Sequence, residues 1–317
     1  MKILKTFLFV LLGALAGFSY AQSNNIIKMV VAFPPGGPVD SMARSLVEPL
    51  GKELNAQIVI EKKSGGNGAI AAEYLAANPA DGKTLWFTSA GAVAINPGLY
   101  EKLSYNPMKD LAPVSLVANN VEVLVVNPNS PANNAAEFVA LAKSKELTMG
   151  SSGTGSVPHL ALEQLNDSAG VKILHVPYKG AAPAITDVMA GHIDGFFGDI
   201  PGLIGYIKSG KLKSIGLAAD KRNSAIPDVK TFNEMGIKGV DTNNWYAVFV
   251  KAGTPKADVE RLSMALKKIL KQDPLNSKLS QSGSEPVGST PEELGNVLKK
   301  DTAKWSQLIK AKKITAE

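Results

Sequence analysis

Four stretches of this chain set glycine beside proline or small hydroxyl residues. They are Phe33-Pro34-Pro35-Gly36-Gly37-Pro38-Val39-Asp40, Ser64-Gly65-Gly66-Asn67-Gly68, Thr88-Ser89-Ala90-Gly91-Ala92 and Gly150-Ser151-Ser152-Gly153-Thr154-Gly155-Ser156. The chemistry they suit is anion binding. Where such a stretch opens a helix, the first four N–H groups have no intrahelical acceptor. The aligned peptide dipoles add about half a positive charge there. Glycine lets a ligand reach those donors without meeting a Cβ, and Ser89, Thr154 and Ser156 add hydroxyls. A site of this kind holds a carboxylate or phosphate without an arginine. Asp40 stands where it can cap its helix, which gives its carboxylate a structural task. A plain solvated loop is the alternative for any one stretch, and four in one chain weigh against it.

Nucleotide and nucleophile motifs do not fit. Gly153-Thr154-Gly155 lacks the Lys-Ser/Thr of a P-loop, and Ser64–Ala69 misses the dinucleotide fingerprint. Gly150-Ser151-Ser152-Gly153 misses the nucleophile elbow by one place. His159 falls one turn into the helix after the fourth stretch, and His175 opens His175-Val176-Pro177-Tyr178-Lys179-Gly180. Packed, hydrogen-bonded rings are the plain alternative for both. Asp199 ends a strand and faces the expected cleft, where it can orient a ligand hydroxyl, amine or water. Tyr178 and Lys179 are candidates for its rim. Ser152 or Ser156 beside His159 is the nearest approach to a hydrolase pair, and their helical offset argues against it.

The elements that must carry these turns alternate. Strand-like IIKMVVAF, QIVIEKK and TLWFTSAG are separated by SMARSLVEPLGKEL and GAIAAEYLAANPADG, which repeat at helical spacing. Pro49 is expected to kink the first helix. VSLVANNVEVLVVNPNS offers two apolar runs, after which the alternation restarts and continues to about residue 244. Thr254-Pro255 reads as the N-cap and first position of a later helix. A last helix opens at Ser289–Glu293 and carries Trp305. Strands separated by helices predict an α/β protein with parallel sheets covered on both faces. The expected organisation is two Rossmann-like lobes with hinge strands: 22–120 plus 245–317 as lobe 1, and 121–244 as lobe 2. In such sheets ligands sit beyond the carboxyl ends of the strands, where the glycine-rich turns fall.

Composition bounds the function. The chain has no cysteine, which excludes disulfides, thiolate catalysis and Cys-based metal sites. Its three histidines are not spaced as metal ligands, and no cofactor is expected. Residues 1–21 begin with Lys2 and Lys5, continue through the uncharged FLFVLLGALAGF and end in Ser-Tyr-Ala. This is the pattern of a secretory signal peptide cleaved after Ala21, which places the mature chain in the periplasm. Loss of the two lysines lowers the formal net charge from +6 to +4. That surplus mildly favours anionic ligands and lacks the dense basic stripe of a nucleic-acid binder.

Taken together, VAFPPGGPVDSMAR, EKKSGGNGAIAAEYLAANPADGKTL, SSGTGSVPHLALEQLNDSAGVKILHVPYKGAAPAITDVMAGHIDGFF and WYAVFVKAGTP resemble the Bug receptors. These are the extracytoplasmic solute-binding proteins of tripartite tricarboxylate transporters. The resemblance implies a periplasmic-binding-protein architecture: two lobes closing on a small organic carboxylate, monomeric and without catalysis. It also implies delivery to the membrane permease subunits, and ligand carboxylates bridged to the backbone by ordered water. Carried over by motif, the expected ligand-binding residues are Phe33, Gly37, Pro38, Asp40, Ser89, Ala90, Thr154, Gly155, Ser156, His159 and Asp199. The family turn usually carries Thr or Ser before its Asp. Here Pro38-Val39 removes a backbone donor and a hydroxyl, which shifts the expected preference toward a more apolar ligand body. A sensory receptor that presents its closed form to a membrane kinase is the alternative of the same architecture, and a secreted hydrolase the alternative of another class.

Overall fold

The first apolar run forms β1 (Ile26–Val31). In a computed structural model that describes residues 25–315, this strand lies between two parallel neighbours. The expected signal peptide and its expected cleavage after Ala21 lie outside the described residues. After β1 the chain turns through Gly36, whose φ of +80° suits glycine, into α1 (Pro38–Leu54). Pro38 occupies the first helical position, where its missing N–H and fixed φ cost nothing. The helix continues through Pro49 and ends at left-handed Asn55, whose N–H bonds the carbonyls of Gly51 and Lys52. Met42, Ala43, Leu46 and Leu50 are its buried face. β2 (Gln57–Lys62), α2 (Ala69–Ala77) and β3 (Thr84–Ser89) complete the first parallel unit.

β4 (Leu111–Val126) is one strand of 16 residues, roughly 50 Å long, where the sequence suggests two apolar runs. The polar residues between those runs mark a change of partners. Residues 111–121 pair antiparallel with β9 (Asn243–Lys251). Beyond them, α3 (Ala135–Ser144), β5 (Thr148–Ser151), α4 (Val157–Ala169), β6 (Leu174–Pro177), α5 (Ala181–Ala190), β7 (Gly195–Asp199), α6 (Ile200–Lys208) and β8 (Lys213–Leu217) build a second α/β unit. It joins β4 through antiparallel pairing of Glu122–Val125 with β7 and of Val123–Val126 with β8. The sheet order is β2-β1-β3-β9-β4-β7-β5-β6, with β8 and the short β10 (Glu285–Pro286) also on β4.

The sheet is therefore mixed, not parallel throughout. β9 follows an irregular segment from the second unit instead of a crossover helix, so it enters beside β3 in the opposite direction. Three helices then return to the first unit: α7 (Lys256–Leu270), α8 (Leu275–Gln281) and α9 (Pro291–Lys312). α9 starts where expected, with a capping box between Thr290 and Glu293, and carries the fully buried Trp305. α7 departs from expectation. Thr254 does not cap it, because its hydroxyl donates back to the Lys251 carbonyl, and the first helical residue is Lys256. Each face of each unit carries its own apolar cluster, around Leu46 and Leu266, Trp86 and Trp305, Phe138 and Phe197, and Val188 and Phe196.

Candidate functional site

Four helices of this fold begin at one cavity, with a volume of about 200 Å³. Gly37–Val39 at the start of α1 line it from the first unit; Ser156–Pro158 of α4, Gly180–Pro183 of α5, and Asp199, Gly202 and Leu203 at the start of α6 line it from the second. Each of these helices has proline within its first three residues: Pro38, Pro158, Pro183 and Pro201. None of the four N-termini is capped by its N-cap side chain. Their remaining first-turn amides have no intrahelical acceptor, and the four dipoles present their positive ends to the same space. Asn67, with left-handed φ of 47° and an amide tied to Asn96, also lines the cavity, as does Ser89. The charged side chains among the lining residues are Lys179, exposed at the rim, and Asp199, buried at the floor.

The two units meet across this space. A Cβ placed on Gly202 of α6 would lie 3.4 Å from Pro38 Cγ, and one on Gly180 would lie 3.8 Å from Pro34 Cγ. A Cβ on Gly155, whose φ is +74°, would collide with Leu99 of the first unit.

The floor is a polar network at the junction of the half-sheets. Register sets Glu122 of β4 opposite Asp199 of β7. Asn244 Nδ2 donates to both Asp199 oxygens at 2.9 and 3.1 Å, and the Tyr246 hydroxyl donates to Asp199 Oδ2. Glu122 is wholly buried, and its carboxyl is held protonated well above the usual carboxylate range by desolvation and by the neighbouring Asp199 charge. Its Oε2 is buried without a hydrogen-bond partner, and the neighbouring Glu122 carboxyl favours the ionised form of Asp199. Burial also raises Asp199, against the donors that favour its ionised form. The pair thus shares one proton and carries one negative charge, because two adjacent buried carboxylates cannot both ionise cheaply.

Behind the Gly150–Ser156 loop the two histidines stack, with ring centroids 3.7 Å apart and planes 8° from parallel. His159 Nδ1 accepts from the Gly155 amide at 3.1 Å, and His175 Nε2 pairs with Ser151 Oγ at 2.6 Å. Burial pushes His159 down to about 3, helped by the adjacent His175, and pushes His175 down to about 4. Glu163 Oε1 lies 3.8 Å from His159 Nε2, an ion-pair distance if both were charged. Burial raises Glu163 as it lowers His159, so the neutral ring is the physical one.

A family described as "Tripartite tricarboxylate transporter family receptor" matches residues 42–314. The chain belongs to this receptor family. The tripartite tricarboxylate transporter receptors include close structural likenesses. A Rhodopseudomonas palustris protein, Rpa4515, solved with adipate, is 30% identical, superposes with a TM-score of 0.88, and the match covers 92% of this chain and 98% of that one. MatC from Rhodopseudomonas palustris, solved with bound malate, is 29% identical with a TM-score of 0.83, over 90% and 98%. Protein BugT of Bordetella pertussis is 29% identical over 90% of this chain and 88% of its own. The protein is thus a solute-binding receptor of the family.

For this receptor the structure gathers Phe33, Gly37, Pro38, Ser89, Ser156 and Asp199 around the cavity. The other expected residues stand behind that wall. Asp40 does not act as N-cap; from inside the first turn its carboxylate accepts from the Gly36 amide at 3.1 Å and from Arg44 Nε at 2.8 Å, so it braces the turn. Ala90 is buried between two lining residues. Thr154 is half-buried and off the wall. The Gly155 amide is taken by buried His159. The Ser156 hydroxyl donates to the Gly153 carbonyl at 2.7 Å, which leaves no Ser156–His159 pair. Asn67, Ser152, Gly202, Asn244 and the run Gly180–Pro183 also belong to the cavity wall. Pro183 and Pro201, each just inside a helix start, were the local signal for two of these places, the run Gly180–Pro183 and Gly202. Asn244 had no such signal.

Proposed function

We propose that this receptor captures a small organic carboxylate between two lobes in the periplasm and passes it to the permease subunits of a tripartite tricarboxylate-type transporter. The observation that carries the reading is the convergence of four uncapped helix N-termini on one cavity. Four positive dipole ends attract an anion without a buried cation. The printed ligands of two similar structures, adipate and malate, are small carboxylates.

The lobes of this reading are 22–120 plus 245–317 and 121–244, with Phe33, Gly37, Pro38 and Ser89 binding from the first and Ser156 and Asp199 from the second. In support, β4 changes partners between Val121 and Glu122, and the chain returns at Asn243. Opening is a rotation about these two strand crossings. A ligand shifts the open–closed equilibrium only through its extra affinity for the closed form. The α1 amides lie on one lobe and those of α4, α5 and α6 on the other, so one bridging anion supplies that extra affinity. Closure then forms the surface that a permease recognises.

The test is a thermal-shift screen of the mature protein against mono-, di- and tricarboxylates, followed by calorimetry. An acid at 100 times its dissociation constant should add about 2.7 kcal/mol of stability. A panel in which no acid shifts the melting temperature, while the folded protein melts cooperatively, would refute the reading.

A further inference from the structure

The last helix packs on the first unit and also grips the second. Trp305 and Ile309 of α9 sit in the apolar cluster of Trp86 and Trp245. Lys304 of the same helix donates to the Asp241 carbonyl at 2.9 Å and lies 3.8 Å from Asp241 Oδ2. Further along, Lys312 donates to Asp167 Oδ1 on α4. Among the described residues these are the only ion pairs between 121–244 and the rest of the chain. The two pairs differ in leverage. Asp241 stands just before β9, at a chain crossing, where rotation of one unit against the other moves it little. Asp167 stands in the last turn of α4, away from both crossings in the sequence. The first turn of that helix lines the cavity, and its Val157 and Leu160 join the cluster that holds Leu99, Trp305 and Ile309.

We propose that Lys312 and Asp167 form a latch that holds the two lobes partly closed before any ligand arrives. This rests on the two-lobe reading above and not on the identity of the acid. α4 moves with the second lobe as one body, so opening withdraws Asp167 from Lys312 and the Ser156–Pro158 wall from α1. The Lys312 and Asp167 side chains are 26% and 49% exposed, so water and salt weaken the pair. An exposed pair of this kind shifts an equilibrium by about two- to fivefold. That is enough to bias the ligand-free receptor toward closure and too little to bar entry. A bound acid then needs correspondingly less differential affinity to complete the closure.

The experiment first measures lobe separation without an acid. The chain has no cysteine, so spin labels at Glu73→Cys on α2 and Ser209→Cys after α6, one exposed site on each lobe, report a single distance by double electron–electron resonance. The ligand-free protein should show a closed and an open distance. Lys312→Ala should lower the closed-to-open ratio about two- to fivefold, and about 1 M salt should do the same where the pair is intact. Lys304→Ala removes the same charge from the same helix and should change the ratio less. The exchanged pair Lys312→Asp/Asp167→Lys should restore it. A ratio that Lys312→Ala leaves unchanged, or lowers no more than Lys304→Ala does, refutes the latch; so does a ligand-free protein that is wholly open. Malate and adipate are then added. If either shifts the distance while Lys312→Ala does not, the two-lobe reading stands without the latch. If no variant, salt or acid moves the distance, the lobes do not rotate and both fail.

Discussion

Acid should destabilise this receptor through the His159–His175 stack before most carboxylates titrate. Both rings have folded-state values below the ordinary 6.5, at about 3 and about 4. The unfolded chain therefore binds more protons than the folded one between pH 6.5 and those values, and stability falls as pH falls through that window. At pH 5 an unfolded histidine has gained about 2 kcal/mol from protonation that the folded ring forgoes. Two rings give up to about 4 kcal/mol, a large share of a typical stability of about 5–15 kcal/mol. The physical cause is geometric. A proton on Nδ1 of His159 would displace the Gly155 N–H that it accepts, and a charge on one ring would face the other at stacking distance. The assay is urea denaturation of the wild type and of a His159→Gln/His175→Gln double variant at pH 7.5 and pH 5. The variant should lose about 4 kcal/mol less between the two conditions. An equal loss in both proteins would refute the assignment of neutral buried rings.

Two further perturbations separate closure from the floor network. Gly202→Leu should wedge the lobes apart against Pro38 and weaken acid binding more than tenfold by calorimetry. Gly202→Ala, whose Cβ meets only ordinary contact distances, should change it little; equal effects from both variants would argue against closure at this point. Glu122 has a raised folded-state value, so the folded protein holds its proton more tightly, and its own contribution to stability should decline as pH rises from 4.5 through that value, opposing the rise from the histidines. Glu122→Gln should remove that opposing contribution and make stability rise more steeply in melts between pH 5 and pH 8, and an unchanged slope would show that Glu122 is ionised in the fold.

How much of the site was legible depends on how local each part is. The turn Phe33–Asp40 and the loop Gly150–Ser156 were readable because a glycine-rich break before a helix is written in consecutive residues, and such a break exposes amides wherever the helix is placed. Residues within those stretches were harder to assign. Gly155 and Asp40 carry the right chemistry, yet one amide is consumed by His159 and one carboxylate by Arg44, and neither partner's orientation is encoded by spacing alone. The mixed sheet was missed for the same reason. The rule that alternation implies parallel strands holds for strands joined by crossover helices, and β9 is reached without one.

By itself the sequence determined the alternation of strands and helices, the helix starts that offer bare amides, and the family to which the chain is similar. Each follows from backbone propensity and from residues a few places apart. Tertiary structure alone decided that four such starts share one cavity, that His159 stacks on His175, and that Glu122, Asp199 and Asn244 meet at its floor. Glu122 and Asn244 are neighbours only because a single long strand exchanges β9 for β7 at that point. Pairing across such a separation is set by the burial of whole sheet faces, which no short run of residues records.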